Sequence, residues 1–137
     1  MADYTLANLQ TDVENQAPSF GLSPDLEAHF ARGPLLLEKS GVSLQRLAPG
    51  FRLPFGHSHG QQEEVYVVTG GSGRAKLDDE IVELKTWDAL RVPGPTMRAF
   101  EAGPDGLEYV AFGSPNDGEP GSSGANDAEM EQGWWSD

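Results

Sequence analysis

Between residues 33 and 113 the chain is a succession of short apolar-rich runs cut by glycine, proline and acidic turn residues, a pattern that predicts short β-strands. The runs lie at 35–38, 42–47, 51–53, 64–69, 74–77, 81–84, 89–92, 97–101 and 107–112. Asp78-Asp79-Glu80 reads as a tight hairpin connection, and the Gly70-Gly71-Ser72-Gly73 cluster permits a bulge or sharp bend, because glycine tolerates positive φ. Short strands with turn signals every ten or so residues predict an all-β sandwich or small barrel.

The flanks differ. Residues 1–22 are polar with scattered apolar positions and form an arm. Ser23-Pro24-Asp25 then predicts a short helix over 23–30, with a serine cap and proline at its first position. His29, inside that segment, is expected to pack or face solvent, not to ligate a metal. From 114 to 126 proline, glycine, serine and acids predict a linker or loose tail, and the whole of 114–137 is expected as a loose acidic tail. The tail ends in Trp134-Trp135, costly to leave in water and therefore expected to dock on the barrel or on a second subunit; the alternative is a lid over the barrel mouth.

A length of 137 residues fits a single domain. The formal charge of −13 is uneven: residues 1–32 carry −4, 33–113 carry −3 and 114–137 carry −6. The charge thus describes the flanks more than the fold, and with no concentrated basic surface nucleic-acid binding is not expected. The absence of cysteine excludes disulfides, thiolate metal sites and cysteine nucleophiles. No apolar run is long enough to span a bilayer and the first residues lack a signal-peptide pattern, so a cytoplasmic protein without a membrane partner is expected.

Chemistry concentrates in one stretch. His57 and His59 are two apart, which on a strand turns both imidazoles to one face, and Glu64 at the head of the next run can return beside them. Two imidazoles and a carboxylate with open positions suit a divalent transition metal such as Fe, Mn, Ni or Zn. By the same alternation Phe55, Tyr66 and Phe100 point into the cavity beside this set, Val65 and Val67 face away, and Glu63 is solvated.

These residues resemble the cupin family, whose fold is a double-stranded β-helix, the jelly-roll barrel. The first cupin motif runs glycine, gap, His-x-His, three or four residues, glutamate, six residues, glycine, and Gly50, His57, His59, Glu64 and Gly71 match it. The gap after Gly50 is one residue longer than usual. The second motif runs glycine, five residues, Pro-x-Gly, two residues, histidine, three residues, asparagine. Here Trp87, Pro93-Gly94-Pro95, Arg98 and Ala102 keep its frame but change four positions, and Arg98 stands where the last metal ligand would be.

The resemblance implies a barrel over 33–113, a metal held by His57, His59 and Glu64, a small-molecule ligand and a homodimer. Arg98 leaves three arrangements open. It can clamp an anionic substrate beside the metal, replace the metal by pairing with Glu64, or turn outward. A guanidinium about 5 Å from a divalent ion costs roughly 6 kcal/mol at an effective dielectric of about 20, which opposes a filled site. The expected function is a metal-binding cupin acting on a small anionic molecule, with Arg98, Tyr66, Phe55 and Phe100 as ligand contacts. Oxygenase, isomerase and lyase chemistry all remain open. The alternatives are a metal-free binding or sensor module anchored by Arg98, and an interaction protein recruiting through its acidic Trp-tipped tail.

Overall fold

The computed structural model describes residues 1–116 and 127–136. Strands β1 (Leu26–Phe30), β2 (Gly41–Leu47), β3 (Phe55–His59), β4 (Glu63–Leu77), β5 (Glu80–Lys85), β6 (Ala89–Val92), β7 (Arg98–Ser114) and β8 (Ala128–Gln132) form one curled antiparallel sheet. Helix among the described residues is limited to a 3-10 turn at Ala17–Phe20 and one α-helical turn, α1, at Arg32–Leu35. The order β1-β2-β7-β3-β8, with β4 pairing to β5, β6 and β7, is that of a jelly-roll barrel, the fold that the cupin resemblance implies. Among the described residues no helix is long and apolar enough to cross a membrane.

The glycine clusters bend strands; they do not end them. β4 and β7 pair along most of their length, with register shifts between Val68 and Gly70 and between Gly71 and Gly73. At Gly71 (φ +70°) a Cβ would lie 2.0 Å from the Gly106 carbonyl oxygen, so the two backbones cross where no side chain fits. Both sets of predicted runs on either side, 64–69 with 74–77 and 97–101 with 107–112, are therefore halves of single bent strands.

Four local expectations are corrected. Residues 26–30 are strand β1, not helix. Leu26 and Ala28 alternate into the core and the backbone pairs with β2 from Leu26↔Leu47 to Phe30↔Ser43, a non-local gain that outweighs a helix-cap signal. The predicted strand at 35–38 is instead the end of α1, where Leu36 adopts a left-handed φ of 59° and is exposed. Residues 51–53 contribute only an isolated bridge, Arg52↔Glu101. Lastly, residues 127–136 are not loose. Most of the predicted linker, 117–126, lies outside the described residues, but beyond it β8 pairs with β3 from Phe55↔Gln132 to His59↔Ala128.

The segment before β1 packs on the sheet through Val13 and Ala17, both buried. His29 is buried there too, donating from Nδ1 to the Val13 carbonyl at 2.8 Å, with Nε2 3.2 Å from Glu27. In the interior, Tyr66, Phe100 and Tyr109 stack with ring centroids 4.6 to 5.5 Å apart, beside Leu26, Leu47 and Val68.

The tryptophan pair docks on the outer side of β3, away from the barrel mouth. Trp134 lies over Gly56, where a Cβ would meet its ring at 2.6 Å, and Lys76 Nζ sits 4.5 Å from the ring centre. Trp135 is buried under the Arg52 and Arg74 guanidiniums, 4.4 and 5.3 Å from its centroid. Glu101 ties those two arginines together, accepting from Arg52 at 2.7 Å and from Arg74 at 2.6 Å.

Burial alone would raise the Glu101 carboxyl, but the hydrogen bonds from Arg74 and Arg52 hold it below its usual range. A carboxyl depressed in the folded state stabilises above its unfolded value, about 4.3, and that contribution is lost as pH falls below it. Acidification from that point is therefore expected to loosen the clasp and red-shift tryptophan fluorescence. Glu101→Gln abolishes the acid step; an unchanged step in that variant would place its origin elsewhere.

Candidate metal centre

Strand β3 carries the two histidines and β4 the glutamate, and the sheet brings them together on the barrel interior. Phe55, His57 and His59 occupy one face of β3 by simple alternation, while Gly56 takes the face under Trp134. Glu64 stands at the start of β4, opposite Val92 of β6 and Gly113 of β7. Its Oε1 atom is the hub. His57 Nε2 lies 3.3 Å away, His59 Nε2 3.4 Å and Arg98 Nη1 3.1 Å, and the Tyr66 hydroxyl donates to the same oxygen.

The charges follow from this geometry. Burial pushes the Glu64 carboxyl up, but hydrogen bonds from His57, His59 and Tyr66 hold it far below the usual carboxylate range. For His57 burial dominates and lowers the imidazole. Burial also favours neutral His59, but contacts with Glu64 and Asp127 outweigh it and its pKa is raised. Burial and the neighbouring Glu64 charge push the Tyr66 phenol well up, so it stays a protonated donor.

Arg98 is not placed as a substrate clamp. It pairs in register with His57 from β7, is fully buried, and does not line the cavity. Its Nη1 donates to Glu64 and its Nη2 to the Pro93 carbonyl at 2.7 Å. Its contact with the cluster runs through Glu64.

The cavity in front of the cluster has a volume of about 510 Å³. Tyr66, Phe100 and Tyr109 line its inner part. Phe55 also lines it, and so do Phe20, Leu22 and Phe30 from the N-terminal segment and Met130 from β8. A mostly apolar chamber with a few converging polar groups is the usual form of a small-ligand site. Glu63, by contrast, is exposed and pairs with Arg91 at 3.0 Å, a surface contact worth little.

Asp127 has no counterpart among the residues singled out in the sequence. Its carboxylate accepts from His59 Nδ1 at 3.0 Å and from the backbone N–H groups of Gln61 and Gln62 at 2.7 and 3.0 Å. The only signal was an acid next to an alternating stretch, Ala128-Glu129-Met130-Glu131-Gln132, within a tail otherwise poor in apolar residues.

His57, His59 and Glu64 form a group that can hold a metal, their three donor atoms lying within 4.8 Å of one another. Bonds of about 2.1 Å place neighbouring ligand atoms roughly 3.0–3.4 Å apart, and the His57–Glu64 and His59–Glu64 separations match this. Two imidazoles and a carboxylate therefore fit a first-row transition ion in both spacing and chemistry.

Neither protein-family models nor curated proteins gave a match to the chain. Solved structures did. A cupin protein from Bacteroides fragilis superposes with a TM-score of 0.63 at 25% sequence identity, over 92% of this chain and 96% of that one. The chain belongs to the cupin superfamily. Other cupin structures share its fold at lower identity. A single-substitution variant of oxalate decarboxylase from B. subtilis has a TM-score of 0.69 at 21% identity, over 94% of this chain and 34% of that one. Salicylate 1,2-dioxygenase from Pseudaminobacter salicylatoxidans has a TM-score of 0.61 at 17% identity, over 72% and 30%. The present cupin thus spans about a third of each of those two enzymes.

Proposed function

We propose that this cupin holds one divalent transition metal ion, of the Fe, Mn, Ni or Zn type, on His57, His59 and Glu64, and acts on a small anionic molecule admitted through the apolar cavity. The observation that carries the reading is the gathering of three suitable donor atoms at the inner end of that cavity. A bound ion supplies Lewis acidity toward an oxygen of the bound molecule.

The chain's own residues do the rest. Arg98 balances the Glu64 carboxylate, which leaves the charge of the ion uncompensated and selects for an anion. Phe100, Tyr66 and Tyr109 exclude water from the inner chamber and so strengthen polar interactions inside it. The Tyr66 hydroxyl, donating to Glu64, holds that carboxylate in place. Oxalate and salicylate, named in the two enzymes that share the fold, are small carboxylates of a size such a cavity admits.

Elemental analysis and calorimetric titration of the purified protein test the proposal. About one equivalent of ion is expected after reconstitution, with His57→Ala lowering affinity by about 100-fold or more. Less than a tenth of an equivalent, even after reconstitution, overturns it.

The Arg98–Glu64 pair at 3.1 Å favours a second reading, a metal-free binding pocket in which the guanidinium takes the place of the ion. Small carboxylates would then bind equally well with and without a chelator, and His57→Ala would hardly change their affinity. The metal centre predicts that a chelator abolishes that binding.

A further inference from the structure

We infer that Asp127 is a positioning residue of this centre, holding His59 with its proton on Nδ1 and the lone pair of Nε2 turned toward Glu64. The inference rests on the proposed metal centre, but the geometry behind it is that of the chain alone.

The argument begins with what each atom can do. A carboxylate accepts and does not donate, so Asp127 Oδ1, 3.0 Å from His59 Nδ1, requires the proton on that nitrogen. In the neutral ring Nε2 is then an acceptor, and it lies 3.4 Å from Glu64 Oε1, also an acceptor. Two acceptors face one another across the width of a coordination site. A positive charge between them makes that row favourable, either a second proton on Nε2 or a metal ion, and the metal ion is the one that the site's third donor, His57, is placed to share.

Asp127 is itself fixed. Its Oδ2 is held by the N–H groups of Gln61 and Gln62, and its backbone carbonyl accepts from Gly60 N at 3.2 Å. The β3–β8 pairing continues from His59↔Ala128, which sets Asp127 at the turn that follows His59. His59 is correspondingly well enclosed, its side chain 7% exposed against 24% for His57. The carboxylate thus cannot swing away from Nδ1 without giving up two backbone hydrogen bonds. An acid some seventy positions along the chain thereby sets the orientation of a ligand on β3.

The test uses the metal-free 137-residue chain with cobalt(II) as the probe. Ring-nitrogen NMR shifts of the three histidines, followed as the pH is raised until they no longer change, report the tautomer of each neutral ring. His59 is expected as the Nδ1–H form in the unsubstituted protein, and the Nε2–H form there overturns the inference whether or not any variant folds. Asp127→Ala is expected to shift His59 toward the Nε2–H form and to weaken cobalt binding by about 10- to 100-fold. Trp135→Ala separates positioning from tethering, because it loosens the same tail away from the site: a lower melting temperature with unchanged tautomer and cobalt affinity is expected. An equal loss of cobalt affinity in Trp135→Ala reduces Asp127 to a tether and overturns the inference. Absence of cobalt binding by the unsubstituted protein, with the tautomer still responding to Asp127→Ala, removes the metal centre and leaves the control of His59 standing.

Discussion

Replacing Arg98 with methionine is expected to cost about 3–5 kcal/mol of folding stability and, in the same protein, to tighten metal binding about tenfold or more. The first effect follows from burial. Arg98 has no exposed surface, and its loss strips Glu64 of its charged partner and the Pro93 carbonyl of a donor. Breaking a buried ion pair on one side leaves a charge that neither water nor a new neighbour compensates. The second effect has the opposite sign because the guanidinium repels any cation placed among His57, His59 and Glu64. Urea denaturation without metal reads the first effect and cobalt or zinc titration the second. The double variant Arg98→Met with Glu64→Leu is expected to recover most of the lost stability, since both charges are then gone. Should Arg98→Met be as stable as the parent, the buried pair has no structural role; should it bind metal more weakly, repulsion from Arg98 does not govern the site.

Phe100→Ala is expected to destabilise by about 3–5 kcal/mol. Phe100 is 1% exposed and its ring packs 4.6 Å from Tyr66 and 4.9 Å from Tyr109, so the deletion removes the middle of an aromatic stack. Because the ring also lines the cavity, its removal enlarges a chamber that already exists, and the apolar lining gives the surroundings little reason to collapse. Thermal or chemical denaturation gives the magnitude. Phe100→Leu, which retains most of the buried volume, is expected to lose clearly less, and equal losses for the two variants would point to ring stacking over volume as the cause.

The barrel was legible because its signal is local and repeated. Turn residues at regular intervals and alternating strands carry the same message many times, and the two histidines with Glu64 follow from strand period and a short return. What was hidden depends on pairings between distant parts of the chain. The Ser23-Pro24-Asp25 signal speaks for a helix, yet Leu26 and Ala28 obey a period of two that counts only once β2 is beside them. Arg98 was visible as an odd residue in a recognisable frame, but whether its side chain reaches the cavity or the space behind Glu64 depends on how β7 packs in the barrel. Asp127 was the least accessible. Its function as a hydrogen-bond acceptor for His59 exists only because β8 crosses back to β3, and the segment before it has the composition of a linker.

Strand β8 also decides what the sheet presents to other molecules. It is the outermost strand of the order β1-β2-β7-β3-β8, all five of its residues are exposed, and two of them are glutamates, Glu129 and Glu131. Without it, β3 would offer its backbone donors and acceptors as a template for any extended chain. With it, the margin is a short ribbon of like charge, which repels another copy of itself and disfavours strand-by-strand growth of the sheet. Part of the chain's acidity thus lies along the edge where an added strand would otherwise find its template.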